Sequence, residues 1–130
     1  MRVPLARHLL RARDLMDRCY AEPLDVAALA RSARVSPQHF ARTFKHTFGE
    51  TPHRYLLTRR LERAKALLRE GELTVTQVCH EVGFTSVGSF STQFKRFVGE
   101  SPSAYRARAV PPELATLPSC LVSMWTRPTG

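Results

Sequence analysis

Two stretches of this 130-residue chain gather side chains that can recognise a polar, negatively charged edge: Ser36-Pro-Gln-His-Phe40-Ala-Arg-Thr-Phe44-Lys45-His46 and Ser86-Val-Gly-Ser-Phe90-Ser-Thr-Gln-Phe94-Lys95-Arg96. At about 100° per residue, a helix over the first turns Phe40, Phe44 and Phe48 to one side. The other side then carries Gln38, His39, Arg42, Lys45 and His46. The same construction over the second buries Phe90, Phe94 and Val98. It exposes Gly88, Ser89, Thr92, Lys95 and Arg96, with Val87 and Ser91 alongside. The chemistry available to such faces is non-covalent. A guanidinium pairs with guanine O6 and N7, a glutamine amide with adenine, and a hydroxyl or valine meets single acceptors or a thymine methyl. Lysines neutralise phosphate.

These faces belong to a repeat. Ser36, Phe40, Phe44, Lys45, Gly49, Glu50, Pro52 and Tyr55 recur as Ser86, Phe90, Phe94, Lys95, Gly99, Glu100, Pro102 and Tyr105 at one constant offset. Two copies of one structural device are therefore expected. Leu5, Leu9, Ala12, Met16 and Cys19 predict an amphipathic helix over 4–20. Asp25 predicts the cap of a short helix whose inner face is Val26, Leu29 and Ala30. Ser36-Pro37 starts a helix to about Thr47 that stops at Gly49. Thr51-Pro52 starts a long one to about Arg69, closed by Gly71. Its buried stripe is Tyr55 or Leu56, then Leu57, Leu61, Ala64, Leu67 and Leu68.

The second half replays the pattern. Thr74-Val-Thr-Gln77 fits a capping box, with Val75, Val78 and Val82 inward. After a turn at Gly83-Phe84, helices follow over 86–98 and from Pro102 to about Arg108. The class is all-α: two helix-turn-helix subdomains (1–56 and 72–108) joined by a connecting helix over 52–70, about seven helices in all. Residues 109–130 read as an irregular, proline-containing tail that could dock through Leu121 and Trp125.

Composition narrows the partner. The formal net charge is +9, which points to a polyanion and to nucleic acid before membrane. No apolar run approaches the roughly 18–20 residues of a membrane span. The start Met1-Arg-Val-Pro lacks a signal-peptide core, so a cytoplasmic, nucleoid-associated protein is expected. Cys19, Cys79 and Cys120 are scattered without metal-like spacing and read as reduced thiols, Cys79 at an apolar helix position. No metal and no cofactor are expected.

The run Val82-Gly83-Phe84…Phe90…Phe94-Lys95…Gly99-Glu-Ser-Pro102…Tyr105-Arg106, with Arg60-Leu61…Ala64…Leu67-Leu68, resembles the DNA-binding domain of the AraC/XylS family of bacterial transcription regulators. The resemblance covers about residues 5–108. It implies two three-helix units joined by a long helix, with the helices over 36–47 and 86–98 reading double-stranded promoter DNA. It also implies contact with RNA polymerase and activation more than repression. A connecting helix of about 27 Å suits two reading helices about 34 Å apart on one face of the duplex. Two different faces in one chain predict a monomer on an asymmetric site.

Base contacts are expected from Gln38, His39 and Arg42 and from Val87, Ser89, Ser91 and Thr92; Arg42 could serve phosphate instead. Phosphate contacts are expected from Lys45, His46, Arg59, Lys95 and Arg96. The second face is poor in donors, so sequence preference should come mainly from the first. Arg60 suits a structural role inside the fold. Arg34 stands where the second copy has Gly83, and a left-handed backbone there would cost about 1 kcal/mol. Two other function classes compete. One is a protein-interaction or ligand-responsive module acting through the tail. The other is alkyl-transfer repair of DNA, which requires an activated thiolate that no cysteine cluster here supplies.

Overall fold

The computed structural model describes residues 4–109, and among these every regular element is a helix. In order they are α1 (Leu5–Arg18), α2 (Val26–Ser32), α3 (Pro37–Phe48), α4 (Pro52–Glu70), α5 (Val75–Glu81), α6 (Val87–Val98) and α7 (Pro102–Ala109). The tail and its docking through Leu121 and Trp125 lie outside the described residues.

Local chemistry explains where most helices begin. Asp25 accepts from the Ala27 N–H at 3.0 Å, Ser36 from His39 at 3.1 Å and Thr51 from Arg54 at 3.2 Å. Thr74 and Gln77 form a reciprocal capping box. Ser86 and Ser101 cap α6 and α7 through Ser89 and Ala104. Each cap satisfies an amide that helix geometry leaves without a partner. Gly49 and Gly99 close α3 and α6 at φ 89° and 100°, a backbone conformation that a Cβ disfavours.

The chain divides into two compact units, residues 1–59 and 60–130, and α4 contributes to both. The first unit buries Leu9, Ala12, Met16, Ala30, Phe40, Phe44 and Leu56, with Leu5, Leu24, Val35, Phe48 and Tyr55 packed around them. The second buries Leu61, Ala64, Leu67, Leu68, Val78, Cys79, Val82, Phe90, Phe94 and Tyr105. Each core holds an aromatic ladder that the repeat foretells. Phe40, Phe44 and Tyr55 follow one another at 6.3 and 5.8 Å between ring centroids. Phe90, Phe94 and Tyr105 do so at 5.7 and 5.6 Å.

The last residue of each predicted apolar face departs from expectation. Phe48 and Val98 are half-buried, because the final turns of α3 and α6 reach the rim of their cores. Phe48 instead makes an edge-on contact with Phe44 at 4.7 Å and lies beneath the Arg13 guanidinium at 4.6 Å. Leu57 and Val75 are likewise half-buried.

Candidate nucleic-acid interface

The short helix before each candidate reader ends in the same hydrogen-bonded turn. Val35 N–H bonds Ala30 C=O at 3.1 Å and Arg34 bonds Arg31 at 3.0 Å; Phe84 bonds Cys79 at 3.0 Å and Gly83 bonds His80 at 3.1 Å. Both are Schellman closures with a left-handed residue in the middle. In the second unit that residue is Gly83 at φ 96°, and in the first it is Arg34 at φ 62°. One residue more separates Gly83 from the cap Ser86 than separates Arg34 from Ser36.

The cap places each helix with its aromatics inward, and the exposure of what remains is duplicated. From 36 to 50 and from 86 to 100, side chains are buried, half-buried or exposed in the same order at every position. Gln38, His39, Arg42, Lys45 and His46 are all exposed, and His39, Arg42, Thr43 and His46 line a shallow depression along α3. Val87, Ser89, Thr92, Lys95 and Arg96 are exposed on α6, and Ser91 beside Phe90 is half-buried. The structure thus sets the expected side chains of 36–47 on the exposed side of α3 and those of 86–98, apart from half-buried Ser91, on that of α6, while Arg59 lies on α4.

Two details change what those side chains present. The Thr92 hydroxyl donates to the Gly88 carbonyl at 2.9 Å, so its proton is committed within the helix. What it has left to offer is a methyl group and the acceptor lone pairs of its oxygen. Thr43 does the same with His39 at 2.9 Å. Nothing inside the fold demands glycine at 88: an added Cβ would meet only Ser86 Oγ, at an ordinary 3.7 Å. The missing side chain at 88 on the outer face of α6 therefore has no packing reason.

Several polar residues acquire partners that spacing could not reveal. Arg59, expected at phosphate, places Nε 3.0 Å from Asp17 Oδ1. The same oxygen accepts the Tyr55 hydroxyl at 2.7 Å. Burial, then the hydrogen bond to Asp17, pushes the Tyr55 phenol above its ordinary pKa. Tyr105, its counterpart, accepts instead from Arg69 Nη1 at 3.0 Å. Arg106 is half-buried and donates to the Leu68 and Leu73 carbonyls at and beyond the end of α4. Burial lowers the guanidinium pKa of Arg106 and likewise that of Arg60, which is half-buried and engaged within the fold. Arg108 pairs with Glu100 at 2.6 Å on the surface.

Cys79 is fully buried, and burial pushes its thiol up, the opposite of an activated nucleophile. Among the described residues no group of three or more His, Cys, Asp or Glu could hold a metal ion, and no helix is long and apolar enough to cross a membrane.

Known proteins share this arrangement. A family model described as a helix-turn-helix domain matches residues 29–108. A Streptomyces lividans protein described as an AraC-like transcription regulator is 41% identical over 87 residues, 67% of this chain and 29% of its own length. The chain spans about a third of the length of the curated relatives it matches. A solved transcriptional regulator with an AraC-type DNA-binding domain, from Chromobacterium violaceum, superposes with a TM-score of 0.69 at 31% identity. It covers 82% of this chain and 96% of its own. The DNA-binding domain of AdpA, solved in complex with a target DNA, superposes with a TM-score of 0.66 at 34% identity, covering 81% and 91%. With two capped, aromatic-backed helix-turn-helix units in one all-helical chain, this protein belongs to the AraC family of helix-turn-helix transcription regulators.

Proposed function

We propose that the chain binds double-stranded promoter DNA as a monomer, with α3 and α6 each lying in a major groove of one asymmetric site. Gln38, His39 and Arg42 contact bases from α3; Val87, Ser89, Ser91 and Thr92 do so from α6. Lys45, His46, Lys95 and Arg96 hold the backbone, and Arg59 reaches phosphate only in part because Asp17 already engages it. The observation that carries the reading is the pair of duplicated exposure patterns filled with different residues. A repeated scaffold that carries different exposed residues on its two copies is what reading two different half-sites requires.

Base discrimination resides mainly in the half bound by the first unit. Arg42 is a forked donor suited to guanine and Gln38 pairs one donor and one acceptor with adenine, whereas Thr92 offers a methyl and one acceptor. Family membership supports activation through contact with RNA polymerase, and repression by occlusion would use the same DNA contacts.

Selection of binding sites from a randomised duplex at fixed salt tests this. The expected outcome is one information-rich half-site beside a poor one. Equal information in both halves would refute the asymmetry, and no enrichment at all would refute sequence-specific binding. With roughly six to eight phosphates neutralised, log K against log salt should fall with a slope of about −5 to −7.

A further inference from the structure

Two exposed cations of the first unit stand where the local backbone disfavours them, and the second unit has small neutral residues at both places. Arg34 is the only non-glycine residue with positive φ among the described residues, at 62° in the turn before α3; its counterpart is Gly83 at 96°. A side chain in that conformation is strained by its own Cβ, which glycine lacks. Arg54 lies in the first turn of α4, where its N–H bonds the capping Thr51. Its counterpart Ala104 bonds Ser101 in the same way in α7. A cation there opposes the positive end of the helix dipole.

Both guanidiniums are exposed. Among the described residues neither meets a carboxylate, whereas Arg18, Arg31, Arg59 and Arg108 each do. Neither the core nor an ion pair accounts for an arginine at these positions. Backbone strain retained without a packing reason points to function.

The placement says which function. Arg34 precedes the cap of α3 by two residues, and Arg54 follows its closing Gly49 by five. The two therefore bracket a 12-residue helix about 18 Å long, comparable with a major groove about 12 Å wide plus its phosphate walls. We propose that Arg34 and Arg54 are phosphate-contact residues that clamp the two ends of α3 over the groove, a clamp the second unit lacks. This rests on the DNA-binding reading above.

The test exchanges each residue for the one in the other repeat and follows the full chain on its selected duplex. Arg34→Gly and Arg54→Ala should melt no lower than wild type, since each removes a local penalty. Each should nonetheless weaken binding uniformly across sequences and reduce the magnitude of the salt slope by about 1. Arg34→Lys and Arg54→Lys should keep the slope. Wild-type binding with unchanged affinity and slope in both exchanges would overturn the clamp and leave the DNA-binding reading intact. Lower melting of Arg34→Gly would overturn the premise of strain. Failure of wild type to bind any duplex would overturn both.

Discussion

The two units are the same object inside and different objects outside. Phe40–Phe44–Tyr55 and Phe90–Phe94–Tyr105 stack with ring separations that agree within 0.6 Å. The exposed positions around Phe40 and Phe90 carry Gln38, His39 and Arg42 in one copy and Gly88, Ser89 and Thr92 in the other. Charge follows the same division, with 11 Lys/Arg against 5 Asp/Glu in residues 1–59 and 9 against 6 in 60–130. Packing tolerates little change because each core aromatic is held by several neighbours at once. An exposed side chain answers only to what it meets outside. The comparison therefore separates what builds each unit from what its outer face presents.

The largest effect probes the shared interior. Phe44→Ala and Phe94→Ala should each lose about 3–5 kcal/mol, measured by denaturant unfolding. Closely matched losses are expected, and a gap larger than about 1.5 kcal/mol would break the equivalence of the two cores. The next probes the outer faces. Arg42→Ala should cost about 1–3 kcal/mol in binding, concentrated at one base pair. Thr92→Val should cost less than Arg42→Ala, since it keeps a methyl and loses only an acceptor whose proton is already held by Gly88. A loss at Thr92 equal to that at Arg42 would remove the contrast between the readers.

The smallest effect concerns the two tyrosine hydroxyls, one a donor to Asp17 and the other an acceptor from Arg69. Tyr55→Phe should cost about 1 kcal/mol at neutral pH. Because burial and Asp17 keep the Tyr55 proton on, the folded pKa lies above the unfolded one. Its stabilisation is then complete below about pH 10 and is lost as pH rises through the folded value. Melting curves above pH 10 should thus fall less steeply for Tyr55→Phe than for wild type; parallel curves would show that Asp17 does not hold the phenol.

Much of the fold was legible because it rests on short-range rules. Apolar spacing located α1 to α7 within about two residues, and Asp25, Ser36, Thr51, Thr74, Ser86 and Ser101 announced the starts of α2 to α7. The left-handed Arg34 was readable from its alignment with Gly83. Which side chains crowd the two outer faces followed from helical geometry alone.

What the amino-acid order could decide ends where partners are distant along the chain. Arg59 was expected at phosphate, yet Asp17, from another helix, is its neighbour, and it shares that carboxylate with Tyr55. Arg69 and Tyr105 meet across α4 and α7, and Arg106 reaches back to the carbonyls of Leu68 and Leu73. Periodicity tells which way a residue faces, since that depends on the 3.6-residue turn of its own helix. It carries no information about which donor on another helix arrives within 3 Å, because that is set by how whole cores close. The repeat and its two faces were thus determined by sequence, and the pairings that hold Arg59, Arg69 and Arg106 by tertiary structure alone.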